Sequence, residues 1–352
     1  MASITKTTTS TGTRWRARYR SPDGKSRERW FERKVDAEAF LTSTEHSKMT
    51  GGYVDPGAGR VTVGAFAREW LAAQTFDEST REAVELRVRV HIEPTFGGME
   101  LRAVRPSTVQ AWLRGRQEGY SPRYVRVMLA NLSAIFGAAV EDELITKNPC
   151  TSSAVRAPAI DQDKVVPWTA DEVAAVIDAT PERYRAIPLV AAAAGLRQGE
   201  VFGLRVSDVD FLRRTVHVRQ QVKIVRGVVM MAPPKRGKTR EVPLADALGF
   251  GLAEQLRAFP AVDGGLIFTS REGKPINRGH FNRYVWKPAL VAAGVEPSRP
   301  NGMHALRHYF ASVLLDGGVS VRTLADYLGH SDPGFTLRVY THLMPAFGGP
   351  GS

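Results

Sequence analysis

The sequence predicts a multidomain, mainly α protein: a small N-terminal β-sheet plus helix, a helical bundle, and a mixed α+β domain with a small antiparallel sheet. Three observations point there. The chain has 352 residues, enough for two or three domains at roughly 100–200 residues each. Alternating patterning is confined to a stretch near the start and one region of the second half, while helical periodicity fills most of the rest. Two stretches of linker composition, Gly51–Gly59 and Thr151–Val165, separate segments 1–58, 60–150 and 166–345.

The basic excess is concentrated in the first segment. Between Arg14 and Lys34 nine basic residues face only Asp23, Glu28 and Glu32. Arg14-Trp15-Arg16-Ala17-Arg18-Tyr19-Arg20 alternates strictly, so a strand there carries every arginine on one face and Trp15, Ala17 and Tyr19 on the other. Pro22-Asp23-Gly24-Lys25 is turn chemistry, Ser26–Phe31 is the return strand, and Asp36–Met49 is a helix ended by Gly51-Gly52. Four arginines in register, with no alternating acid, favour contact with a polyanion over a merely solvated face. Arg14, Arg16, Arg18, Arg20, Arg27 and Arg29 are therefore candidate nucleic-acid contacts.

The second segment is helical. Helices are expected at Val61–Ala73, Glu78–Ile92, Pro106–Arg116 and Ser121–Glu143, the last with Val125, Leu129, Leu132, Ile135, Phe136 and Val140 near helical spacing. In the third segment Thr169-Ala170-Asp171-Glu172 is a capping box before an apolar run. Thr215–Val218, Lys223–Met231 and Arg240–Leu244 form the small antiparallel sheet among further helices.

Composition excludes several classes. Hydrophobic residues are 43% and charged residues 24%, which excludes a disordered or fibrous chain. The run Ala186–Leu196 contains Pro188 and falls short of the roughly 20 residues that span a bilayer. The polar start has no apolar core of a secretory signal, so no membrane and a cytoplasmic setting are expected. Cys150 is the single cysteine, which excludes an internal disulfide framework or a multi-cysteine zinc site. A net charge of +12 favours a nucleic-acid partner over a merely basic enzyme.

Four stretches of the third segment carry chemistry. Gly195-Leu196-Arg197-Gln198-Gly199-Glu200 places an arginine after an apolar helix, where it is expected to be buried and to pair with Glu200 on the same helical face. Pro234-Lys235-Arg236-Gly237-Lys238-Thr239-Arg240 is a basic turn between strands. His304-Ala305-Leu306-Arg307-His308 puts His304 and Arg307 on one helical face. Leu328-Gly329-His330 precedes Arg338-Val339-Tyr340-Thr341-His342. Each piece alone has a bland explanation: an ion pair, a core histidine, a helix-ending glycine, or a core tyrosine sharing a face with Leu337 and Met344. The combination is what phosphoryl transfer on DNA without a metal requires. Arginine forks match the charge that develops on a phosphodiester, tyrosine can form a covalent phosphoester, and lysine or histidine can protonate the leaving oxygen.

In these four boxes, in this order, the chain resembles the tyrosine recombinase family, phage-integrase type. The segments before them also resemble that family's arm-binding and core-binding domains in kind and order. The resemblance implies an arm-type DNA-binding domain (1–58), a helical core-binding domain (60–150) and a catalytic domain (166–345). It implies that Arg197, Arg307 and His330 hold the scissile phosphate, Tyr340 attacks to give a 3′-phosphotyrosyl link, Lys235 protonates the 5′ oxygen, His304 assists and Glu200 supports. Lys238, at the tip of the turn, is assigned a DNA contact. Ala305 stands where members often have Asp, removing a supporting hydrogen bond. No cofactor and no metal are implied. The implied partners are double-stranded DNA with core-type and arm-type attachment sites, a homo-tetramer on that DNA, and a directionality factor or host DNA-bending protein. The implied activity is site-specific recombination that integrates or excises a phage or mobile element in a bacterial cytoplasm. A type IB topoisomerase-like enzyme is disfavoured by the N-terminal sheet, and a catalytically silent DNA-binding regulator by the presence of Tyr340.

Overall fold

Strict alternation over Arg14–Arg20 does build a strand, but the sheet has one more strand than expected. The computed structural model describes residues 2–9, 12–21, 24–49, 53–55, 58–160, 165–261 and 265–343. Strands β1 (Ser3–Thr9), β2 (Gly12–Arg20) and β3 (Ser26–Phe31) pair antiparallel in that order. Trp15, Ala17 and Tyr19 turn inward with Ile4 and Phe31 and pack on α1 (Lys34–Met49) through Ala37, Phe40 and Leu41. Strand β1 was not expected, because its polar residues carry no clear alternation of their own. Ile4 and the neighbouring threonines are β-branched, and they pair from Ser3 opposite Arg18 to Thr9 opposite Gly12. The β2–β3 turn is closed by the Gly24 N–H donating to the Ser21 carbonyl at 2.9 Å. Pro22 and Asp23 of that turn, and the expected helix end at Gly51-Gly52, lie outside the described residues.

Helices α2 (Val63–Ala73), α3 (Glu78–Arg87), α4 (Glu93–Phe96), α5 (Pro106–Gln117) and α6 (Pro122–Glu141) follow. Side-chain caps at Thr62, Asp77 and Ser121 start α2, α3 and α6 by accepting backbone N–H bonds. The expected helix 78–92 does not stop there: α3 passes through a π turn, Val88–Ile92, into α4. Helix α6 buries Val125, Met128, Leu132, Ile135, Phe136 and Ala139, with Leu129 and Val140 at the margin. It is long and apolar enough to cross a membrane, yet that apolar stripe is the core of the bundle. The linker expected from Thr151 is held to the bundle at its start. Arg156 N–H donates to Gln110 Oε1 at 2.7 Å, and Arg126 Nη1 donates to the Pro158 carbonyl at 2.9 Å. Residues 161–164 of that linker lie outside the described residues.

Two units divide the chain, 1–161 and 162–352. The second opens with α7 (Ala170–Ala179), whose capping box forms as read: Glu172 N–H donates to Thr169 Oγ1 at 3.2 Å and Thr169 N–H to Glu172 Oε2 at 2.7 Å. Next come α8 (Ala186–Ala194) and α9 (Gln198–Phe202). The strand region is two sheets, not one. Strands β4 (Val209–Asp210), β5 (Thr215–Val218) and β8 (Arg240–Pro243) form the first. Strands β6 (Gln221–Val225) and β7 (Val228–Ala232) form a separate hairpin. Lys223–Met231, read as one strand, folds back at Arg226 and Gly227, whose φ angles of 49° and 79° suit a two-residue turn. Helices α10 (Asp246–Ala258), α11 (Arg278–Phe281), α12 (Lys287–Ala292), α13 (His304–Asp316), α14 (Val321–Leu328) and α15 (Pro333–Tyr340) complete the unit.

Burial sets a simple expectation for stability. Phe136 has no exposed surface, whereas Phe250 is 74% exposed on α10. Phe136→Ala should lower the unfolding free energy by about 3–5 kcal/mol, as cavity-forming core substitutions do. Phe250→Ala should change it by less than about 0.5 kcal/mol. Urea unfolding of both variants checks this, and equal losses would contradict the packing described.

Candidate active site

Gly195 ends α8 in the left-handed conformation (φ +63°), and a Cβ there would sit 2.4 Å from the Phe310 ring. That close approach brings the Arg197 loop against α13. Arg197 caps α9 instead of lying on its face. Its backbone N–H donates to Glu200 Oε2 at 2.9 Å and its Nη1 to Glu200 Oε1 at 2.9 Å. The expected pair therefore forms, but through a cap, and Arg197 is only half-buried. Glu200 is the buried member.

Glu200 has a second, unexpected partner in Arg240. Arg240 donates from Nη1 to Oε1 at 3.0 Å, from Nη2 to Oε2 at 2.7 Å and from Nε to the Tyr327 carbonyl at 2.6 Å. Burial alone would raise the Glu200 pKa, but Arg240 and then Arg197 hold it down at about 2. A signal was available: Arg240, Val242 and Leu244 alternate onto one face, and all three are buried. An arginine on the core face of a strand demands a carboxylate.

Arg307, on α13, is 1% exposed. It donates from Nη1 to the Gly195 carbonyl at 2.7 Å, from Nη2 to the Leu328 carbonyl, and from Nη2 to His330 Nε2 at 3.1 Å. Burial, then Arg197, lowers its pKa to about 9, so it is still a cation at neutral pH. Since arginine only donates, His330 Nε2 accepts and its Nδ1–H points to Thr336 Oγ1, 2.6 Å away. Gly329 (φ +64°) ends α14 and throws His330 into this position, and the buried Thr336 was not foreseen as its partner.

Arg197, Lys235, Lys238, His304, Arg307 and His330 line one cavity of about 850 Å³, with Ser331, Asp332, Phe335 and Arg338 at its wall. Its one lining carboxylate, Asp332, is engaged by Arg338 Nη2 at 3.0 Å. Burial and the nearby arginines push His330 down to about 4. Solvent reaches His304, yet the walls around it, then Arg307 and Arg197, lower its pKa as well. Lys235 opens a 3₁₀ turn, Lys235–Gly237, which Lys238 follows, and both lysines are exposed on the cavity wall. Among the described residues no group of three His, Cys, Asp or Glu could hold a metal ion.

Tyr340 stands apart from the other five. It is 2% exposed and does not line the cavity. Its hydroxyl lies 2.7 Å from His308 Nδ1. Burial raises the phenol to about 12, and burial, then His304 and Arg307, lowers His308 to about 4, so the phenol keeps its proton and donates it. Tyr340 belongs to the hydrophobic core of its unit, while Leu337 on the same helix is exposed and Met344 lies outside the described residues.

The N-terminal arginines fall on two faces. Arg14, Arg16, Arg18 and Arg20 share the outer face of β2. Glu28 lies opposite Arg18 and 3.8 Å from Arg16, so an acid does interrupt that row. Arg27 and Arg29 lie opposite Tyr19 and Ala17, on the inner face. Arg27 pairs with Asp55 at 2.5 Å, and Arg29 lies over Phe31 and Phe40. These two therefore do not belong to the arginine row, because period-2 alternation starting from β3 puts them on the helix side.

Known proteins resemble this chain over most of its length. The phage integrase family model matches residues 168–346, its N-terminal domain model 8–51 and its central domain model 63–155. A prophage phiRv2 integrase of Mycobacterium tuberculosis is 30% identical over 343 residues, covering 94% of this chain and 88% of the relative. A XerC-like tyrosine recombinase of Caldanaerobacter subterraneus is 26% identical over 359 residues, covering 93% and 90%. The fold is shared with the Tn1549 transposon integrase solved in complex with transposon right end DNA (TM-score 0.70, 22% identity, 80% of this chain and 95% of that one). It is shared also with a lambda integrase tetramer solved on a Holliday junction (TM-score 0.62, 20% identity, 93% and 96%). The family model spans all six residues that the four boxes contribute, the three models together run from residue 8 to residue 346, and a relative 30% identical covers 94% of the chain: the chain belongs to the phage integrase family of tyrosine recombinases.

Proposed function

We propose that the cavity takes one phosphodiester of duplex DNA and that the chain cuts and rejoins strands at specific sites, integrating or excising a phage or mobile element. One observation supports this most: six cationic or proton-donating groups converge on a cavity whose one carboxylate among the described residues is already paired. Arg197 and Arg307 donate to the non-bridging oxygens, where charge develops during attack. His330 joins them by turning an N–H toward the phosphate, whose negative charge would also raise its low pKa. Tyr340 leaves His308, its oxygen bonds to phosphorus, and the P–O5′ bond breaks. The phenol proton passes out with the help of His304, and the 5′ oxygen takes a proton from Lys235. The 3′-phosphotyrosyl bond keeps the energy of the broken phosphodiester, so a 5′-hydroxyl from another strand reverses the step without ATP.

In this reading residues 166–345 carry the chemistry, 60–150 grip the core site with them, and 1–58 hold a second, arm-type site. Four strands must be cut, which calls for four copies on the DNA, as in the lambda integrase tetramer. A directionality factor or host DNA-bending protein would bias the outcome, and the reaction would take place in a bacterial cytoplasm.

Tyr340→Phe removes a hydroxyl and keeps the ring. Core-site binding should survive while covalent adduct on a nicked suicide substrate disappears; adduct from the Phe variant would remove Tyr340 from its role. The two lysines separate on a substrate whose bridging 5′ oxygen is sulfur, a leaving group that needs no proton. Lys235→Ala should be severely slowed on ordinary DNA and largely restored on the sulfur substrate, with Lys238→Ala milder and not restored. The reverse pattern assigns the general acid to Lys238. For the arginine row, each lost phosphate contact reduces the salt slope of duplex binding by about 0.9. Arg14→Ala with Arg18→Ala should lower the slope measurably, and Arg27→Ala with Arg29→Ala should not; equal effects would contradict the division between faces.

A further inference from the structure

We infer that Arg240 is a positioning residue for strand cleavage: it fixes the Glu200 carboxylate that aims Arg197 and ties both to the loop carrying His330. The inference rests on the phosphodiester chemistry proposed for the cavity. Arg240 lies behind the cavity wall and is not among its lining residues. It opens β8, in the same segment as Lys235 and Lys238, and its guanidinium is buried.

The geometry leaves little freedom. Glu200 receives four donors: Arg197 Nη1 and Arg240 Nη1 on Oε1, and the Arg197 backbone N–H and Arg240 Nη2 on Oε2. With both oxygens filled, the carboxylate cannot rotate, and Arg197 is left with its remaining N–H groups for the cavity. The third Arg240 bond, to the Tyr327 carbonyl, anchors the end of α14 just before His330. A Cβ at Gly329 would come 3.1 Å from Arg240 Cδ and Nη1, so the left-handed glycine is what admits the guanidinium beneath that loop. Two guanidinium charges against one carboxylate leave one positive charge for the phosphate.

The charged groups facing Glu200 are Arg240, Arg197 and, more remotely, Arg307. With Arg240 gone, burial still favours the neutral acid and only the other two oppose it. Glu200 would then take up a proton at a higher pH than before. A protonated Glu200 is a weaker acceptor, so Arg197 loses its aim as pH falls. A simply structural role for Arg240 has no such pH signature.

The test measures single-turnover cleavage of a nicked suicide substrate against pH by wild type, Arg240→Gln and Arg240→Lys, with core-site affinity measured in parallel. Arg240→Gln should bind the core site as wild type does, cleave about 100-fold more slowly, in line with the cost of a misplaced catalytic group, and show an acid limb absent from wild type. Arg240→Lys keeps the charge beside Glu200 but loses the fork. It should be slowed about 10-fold, as for loss of part of a positioned contact, with the wild-type pH profile. Replacing the bridging oxygen by sulfur should restore neither. A Gln variant slowed equally at every pH, or a Lys variant at the wild-type rate, overturns the inference. If the Gln variant does not fold, the Lys variant decides. Adduct formation by wild type in the same assay tests the proposed function itself, while the ratio of each variant to wild type tests Arg240.

Discussion

A carboxylate without exposed surface keeps its charge only if neighbours replace the water it has lost, and Glu200 recovers that solvation from Arg197 and Arg240. Breaking such a buried pair on one side costs about 3–5 kcal/mol in general, because the remaining charge is stranded. The start of α9, the start of β8 and the end of α14 are therefore locked in one arrangement. Arg307 closes the same assembly from α13, bonding the carbonyls of Gly195 and Leu328. Two left-handed glycines, Gly195 and Gly329, make the close approaches possible. The cationic cavity is thus assembled by the fold before any substrate arrives, which is the arrangement that lowers reorganisation cost during charge development.

The proposed nucleophile is not assembled in the same way. Tyr340 is buried, protonated and bonded to His308, away from the cavity wall. The proposed attack calls for α15 to release that bond and present the hydroxyl. The start of α15 is pinned by Asp332, which accepts the Gly334 N–H at 2.8 Å and pairs with Arg338. Cation cage and tyrosine are thus separable parts, and the chemistry waits on their meeting.

Much of this was legible in the sequence, for definite reasons. Alternation in Arg14–Arg20 gave β2 and its two faces, and Thr169 with Glu172 gave the capping box, because both are local signals. The four boxes brought Arg197, Lys235, His304, Arg307 and His330 to one cavity because each sits at the end of an element. What was missed depends on distant packing. Strand β1 needs β2 as its partner, the division of the second sheet needs the turn at Arg226-Gly227, and the Arg240–Glu200 fork joins segments far apart in sequence. The Tyr340–His308 bond joins two helices, and no spacing rule announces it.

The central claim is that the chain breaks DNA by attaching it to Tyr340. The most direct measurement is to trap the wild-type protein on a nicked suicide substrate, digest with trypsin and nuclease, and locate the nucleotide adduct by mass spectrometry. The tryptic peptide that begins after Arg338 contains Tyr340 as its sole tyrosine, so the assignment is unambiguous. The expected result is a nucleotide 3′-phosphate on that peptide and on no other. An adduct on any other peptide, or strand cleavage with no adduct at all, would contradict the account.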